Sequence, residues 1–155
     1  MKLQFNCRTS LCAALVAVLL FSFAFEVHAT KDDAKTNLLA MITLFKGANP
    51  KLKDRRAYRT GAIKEGFERT LTEALQGGTT YKIMAIGCDK TKDIDIKVYD
   101  AAGTLVGEDV KDDNYPVADV APPTDGTYTV KIQMLKTDGT EAVGHFAYQV
   151  FYLAN

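Results

Sequence analysis

The chain has 155 residues, with 19 Lys and Arg against 19 Asp and Glu, and so no formal net charge. A balanced chain of this length is one ordinary domain, without the basic excess that a nucleic-acid surface needs. Its three cysteines, two of them within the first twelve residues, cannot make the disulfide framework of a small secreted scaffold.

The N-terminus carries Lys2 and Arg8, then an apolar run from Leu11 to Phe25, then Val27-His28-Ala29. A membrane-spanning helix needs about 20 apolar residues, so this run is short for one. A basic start, a short apolar run and a cut site after Ala29 describe a secretory signal peptide over residues 1–29. The mature chain is then periplasmic or secreted, with no membrane span after cleavage. Cys7 and Cys12 leave with the signal. Cys88 remains alone in an oxidising compartment, either as a buried or half-buried thiol, which the apolar Met84 to Gly87 before it favour, or as one end of an intermolecular bridge.

Residues 30–66 read as an N-terminal helix and linker. Leu38, Met41, Ile42 and Phe45 recur at i, i+3, i+4 and i+7, a single apolar stripe. Asp32 and Asp33 sit where the helix dipole favours negative charge, and Gly47-Ala48-Asn49-Pro50 ends the run. Residues 51–66 are polar and read as a loop or a short helix. "KLKDRR" at Lys51 to Arg56 is interrupted by Asp54 and is not a basic arm.

From Phe67 the period changes to two. In "TYTVKIQM", Tyr128, Val130, Ile132 and Met134 face one way and Thr127, Thr129, Lys131 and Gln133 the other, giving one dry and one wet face. Turn signals recur at Gly77-Gly78, Asp100 to Gly103, Pro122 to Gly126 and Thr137 to Gly139. They divide residues 67–155 into seven candidate strands: 67–74, 79–86, 93–99, 104–108, 116–120, 127–135 and 143–153. The expected fold is mainly β, an antiparallel, jelly-roll-like β-sandwich with an N-terminal helix. The last strand is apolar on both faces, so it belongs near the centre of a sheet, with the Leu38/Ile42/Phe45 stripe covering one side. Charge is uneven along the chain: residues 31–76 sum to +4 and residues 77–155 to −5. The bland meaning is a basic lead-in docking on an acidic sheet domain.

Four pieces in order, "GGTTYKIMAIGC", "DIDIKVYDAAGTLV", "DDNYPVADVAP" and "TDGTYTVKIQM", resemble the bacterial pre-peptidase C-terminal (PPC) type of domain, a β-sandwich module of secreted proteins. Gly78-Thr79-Thr80-Tyr81 matches its Gly-Xaa-Xaa-Tyr strand. Asp93 to Gly103 matches its Asp-hydrophobic-Asp strand and turn, and Asp125-Gly126-Thr127-Tyr128 approximates its late Thr-Gly-Xaa-Tyr strand. The likeness spans about residues 67–153. No peptidase precedes it, so the resemblance implies a stand-alone exported relative.

The stretch "CDKTKDIDIKVYDAAGTLVGED" from Cys88 concentrates acidic side chains. Asp93 and Asp95 alternate with Ile94 and Ile96, and residues two apart on a strand are about 6.6 Å apart. That separation suits paired carboxylates of a glycoside hydrolase, but any exposed strand offers it, and the chain lacks tryptophan platforms. Calcium is the better chemical candidate: Asp89, Asp93, Asp95, Asp112 and Asp113 could converge at one end of the sandwich and supply oxygen ligands. The "DKTKDID" spacing is not an EF-hand. The plain alternative is a solvated rim that caps turns and protects sheet edges. No other cofactor is indicated. His145 is the one histidine left after cleavage and reads as structural. Ser10 and Ser22 leave with the signal, which removes a serine triad, and a Cys88/His145 pair has no local signature. The expectation is a non-enzymatic exported module that binds an envelope or extracellular macromolecule or helps assemble the envelope by folding or anchoring one of its components. The alternative is a small secreted hydrolase using the acidic cluster.

Overall fold

The computed structural model describes residues 30–139 and 142–154. The signal-peptide reading falls on residues outside these. Thr30 caps helix α1 (Lys31–Ala48): its hydroxyl accepts the N–H groups of Asp32 and Asp33, and Asp33 Oδ2 accepts the Thr30 N–H at 2.6 Å. This reciprocal box satisfies donors that the first turn would leave orphaned. The helix stops at Asn49, whose N–H still reaches Phe45 O.

Nine strands follow: β1 (Leu52–Asp54), β2 (Arg59–Lys64), β3 (Glu68–Leu75), β4 (Tyr81–Gly87), β5 (Thr91–Tyr99), β6 (Leu105–Asp109), β7 (Val117–Val120), β8 (Gly126–Thr137) and β9 (Val143–Leu153). The last seven lie within two residues of the expected ranges at each end. The difference is at 51–66, which holds two strands rather than a loop or short helix. Both lie at a sheet edge. Leu52 and Ile63 are the buried residues of their strands, so no apolar alternation betrays them.

One sheet runs β1/β2–β9–β4–β7 and the other β3–β8–β5–β6. The antiparallel ladders pair β2 with β9, β3 with β8, β4 with β7 and β5 with β6. This is one long hairpin rolled onto itself, a jelly roll, and rolling sets β4 beside β9 and β5 beside β8.

Between the sheets lies an apolar core that includes Ile83, Ile94, Ile96, Val98, Tyr128, Val130, Ile132 and Met134. The expected β8 register is therefore observed. A second cluster, under α1, joins Ala34 and Leu38 to Met84, Ile86, Cys88, Ala147 and Phe151. β9 serves both: Phe146, Tyr148 and Val150 enter the inter-sheet core, while Ala147 and Phe151 meet the helix side. That double duty explains its apolar character on both faces. Cys88 is a free, fully buried thiol, 3.5 Å from Thr91 Oγ1. Among the described residues no helix is long and apolar enough to cross a membrane.

Candidate functional site at two charged edges

The acidic stretch forms the β5–β6 hairpin. Asp100 builds its turn: Oδ1 accepts the N–H groups of Ala102 at 2.9 Å and Thr104 at 2.8 Å. Gly103, at φ +83°, donates to Asp100 O at 3.1 Å, a backbone conformation that glycine adopts without strain. Ile94, Ile96 and Val98 point into the core, which leaves Asp93, Asp95 and Lys97 to the outer face of the sheet.

Of the five acids singled out in the sequence, Asp89 goes elsewhere. It sits between β4 and β5 and accepts Asn37 Nδ2 of α1 at 3.1 Å. The other four share a neighbourhood. Asp113 O accepts the Ile94 N–H at 3.0 Å, which lays the 110–116 loop along β5. Burial, then Asp112 and Asp113, hold the Asp93 carboxyl above the usual range, against the pull of Lys136. Burial, then Asp93, raise that of Asp95; Lys97 opposes, and Asp109 and Glu108 add to the rise. Asp95 is only 6% exposed. The Oδ1 atoms of Asp93 and Asp95 are buried and accept no hydrogen bond, an arrangement that penalises the ionised form. Among the described residues, no three His, Cys, Asp or Glu side chains are grouped to hold a metal ion.

The second edge is basic. Where β1 turns into β2, Arg55 and Arg56 reach across the open side of the sandwich to Glu73 on β3. Glu73 is buried on the inward face, between Leu71 and Leu75. Its Oε2 lies 3.5 Å from Arg55 Nη1, its Oε1 pairs with Arg56 Nη2, and Tyr148 Oη donates to Oε1 at 3.0 Å. Arg55 also donates to the Ala74 carbonyl, and Gln149 Nε2 to the Arg56 carbonyl. Burial raises the Tyr148 phenol pKa well above its ordinary value. Burial, then Arg59, lower that of the Arg56 guanidinium, and Arg55 lowers it further. These groups tie the two sheets together at an edge that no strand closes among the described residues.

In the sequence Glu73 belongs to no motif, and Arg55 and Arg56 only close the interrupted "KLKDRR" run. One signal was available: in "RTLTEAL", Glu73 occupies the parity of Leu71 and Leu75, so a strand there must bury it or expose both leucines. Its partners lie 18 and 75 residues away, at Arg55 and Tyr148, and no local pattern connects them.

No protein-family model matches the chain, and no curated protein matches it in sequence. Among solved structures, it is similar to PliG of Aeromonas hydrophila, a periplasmic lysozyme inhibitor of g-type lysozyme. The TM-score is 0.48 and the identity 14%, over 62% of this chain and 84% of that one.

Proposed function

We propose that the chain is an exported, non-enzymatic β-sandwich module that binds another macromolecule of the envelope or extracellular space. The observation that supports this is the placement of charge. Acids that repel one another line β5 and the 110–114 loop, and on a different edge of the roll, where β2 faces β3, arginines gather around the single buried carboxylate of Glu73. Charge segregated in this way steers and orients a partner. Acid–base catalysis instead needs its groups within reach of one reacting atom. The signal-peptide reading of residues 1–29 and the resemblance to PPC modules point the same way. The test is crosslinked capture from the envelope fraction, with a partner expected whose retention falls as salt rises. The rival is the small secreted hydrolase. If the purified protein hydrolyses a substrate, and Asp95→Asn abolishes this while the chain stays folded, the binding reading is wrong.

A second reading concerns the rim alone. The donor-less oxygens of Asp93 and Asp95 favour a cation there, and calcium accepts oxygens from carboxylates and loop carbonyls. Asp112 and Asp113 are the loop acids whose charge acts on Asp93, whereas Asp89 is committed to Asn37. The fit is incomplete, since no three-ligand group is formed. A calcium-specific rise in melting temperature is the measurement that decides it.

A further inference from the structure

We propose that the mouth between β2 and β3 is a receptor for an extended, carboxylate-bearing segment of a partner protein. This deepens the binding function proposed above and rests on it. Four arginines surround that mouth. Arg55 and Arg56 come from the β1–β2 link. Arg59 shares the inward parity of β2 with Gly61 and Ile63 and stands opposite Tyr148 in the ladder. Arg69 shares the inward parity of β3 with Leu71, Glu73 and Leu75. Its guanidinium lies beside Gly61: a Cβ built there would sit 3.0 Å from Arg69 Nη1 and 2.7 Å from the Phe146 ring. Glycine at 61 thus leaves the space through which Arg69 reaches from one sheet toward the other.

One buried carboxylate answers these four cations. Glu73 pairs with Arg55 and Arg56. Arg59 and Arg69 are exposed and make no ion pair among the described residues. Nearby acids are engaged elsewhere: Glu68 with Lys131 at 2.8 Å, Asp54 with Lys46, and Glu65 with the N–H and hydroxyl of Thr137. The mouth therefore carries an excess of three positive charges. Guanidinium forks match carboxylates in two-point contacts, which makes a carboxylate the natural complement.

The backbone favours an extended segment over a lone small anion. Among the described residues β3 is an outer strand of its sheet, with no strand beside one side of its main chain. Arg55 meets the Ala74 carbonyl on that side. A segment laid along Thr70 and Thr72 would gain main-chain hydrogen bonds, as in strand addition. Its alternate side chains would then carry carboxylates toward Arg59 and Arg69.

The test uses the purified exported chain and a fluorescein-labelled peptide of alternating glutamate and valine, followed by fluorescence anisotropy. Saturable binding that weakens with salt is expected. Arg59→Gln/Arg69→Gln, which spares the Glu73 pairs, should weaken it about tenfold or more, the effect of losing one charge-assisted contact. Lys111→Gln, in the loop at the far acidic edge, should leave it unchanged. Circular dichroism checks that both variants keep the wild-type fold. Equal binding by the double variant, equal binding of a lysine–valine peptide, or full displacement by inorganic phosphate at constant ionic strength overturns the proposal; the last result would indicate a small-anion site. Self-association that disappears in the double variant, without peptide binding, also overturns it in favour of a second copy. If an envelope partner is captured and the double variant retains it, the mouth is wrong and the binding function stands. If the peptide binds as expected but neither the envelope fraction nor the extracellular medium yields a partner, the function is wrong and the mouth stands.

Discussion

Replacing Glu73 by glutamine keeps the side chain's size and its acceptor for Tyr148 but removes its charge. The variant loses two charge-assisted contacts, to Arg55 and Arg56. Such contacts contribute about 1.5–3 kcal/mol each when well buried. Here the arginine side chains are 27% and 31% exposed, so water recovers part of the loss, while the carboxylate itself is fully buried. The expected cost is about 2–3 kcal/mol, below the 3–5 kcal/mol of a wholly buried pair. At about 4 °C per kcal/mol for a domain of this size, the melting temperature should fall by about 8–12 °C. Scanning calorimetry measures that fall, and the urea midpoint should move with it at unchanged slope. A double-mutant cycle with Arg56→Gln separates the pairwise energy from the separate effects of each change. A melting temperature within about one degree of wild type for Glu73→Gln would refute the reasoning, because this carboxylate would then not be holding the two sheets together.

Other outcomes follow from the same physics. Ile132→Ala should cost about 2–5 kcal/mol as a buried aliphatic truncation, while Lys131→Ala, which loses only an exposed pair with Glu68, should barely move the urea midpoint; equal losses in urea melts would put the β8 register out by one. Folding raises the Asp93 and Asp95 pKa values, so ionising them opposes the fold. Their stabilising contribution is full below the unfolded carboxylate value of about 4 and is lost as pH rises through the folded values. In EDTA, Asp95→Asn should therefore stabilise the chain at neutral pH by about 1–3 kcal/mol, with the gain vanishing in acid; a loss at neutral pH contradicts this. If calcium occupies the rim, wild type gains about 2.7 kcal/mol at a hundred times the Kd, magnesium does not reproduce the rise, and Asp95→Asn abolishes it. Intact mass of the exported protein should place its first residue at Thr30; a full-length product in the membrane pellet contradicts signal cleavage.

How far the fold could be read from sequence depended on which faces each strand shows. β8 was legible because one side is core and the other is wet, and β9 because apolar residues on both faces require cover on both. β1 and β2 were not legible, since an edge strand with one buried residue has no period to detect. The polar side of β5 was legible in Asp93 and Asp95. The near-complete burial of Asp95 was not, because it depends on how the neighbouring strands and loop pack around it. Asp89 looked equivalent to the other acids until α1 docked and offered Asn37. The arginine mouth was the least legible part. Its members come from the β1–β2 link, β2 and β3, and only the rolling of the hairpin brings them to one place.

The most direct measurement of the central claim is amide chemical-shift mapping of isotope-labelled protein spanning residues 30–155, titrated with the partner captured from the envelope fraction. The binding account predicts saturable shifts concentrated over Arg59–Lys64 and Arg69–Glu73, with Asp93–Lys97 left in place. Shifts confined to Asp93–Lys97 and the 110–114 loop, accompanied by turnover of the added molecule, would contradict it and make the acidic rim the working site of an enzyme.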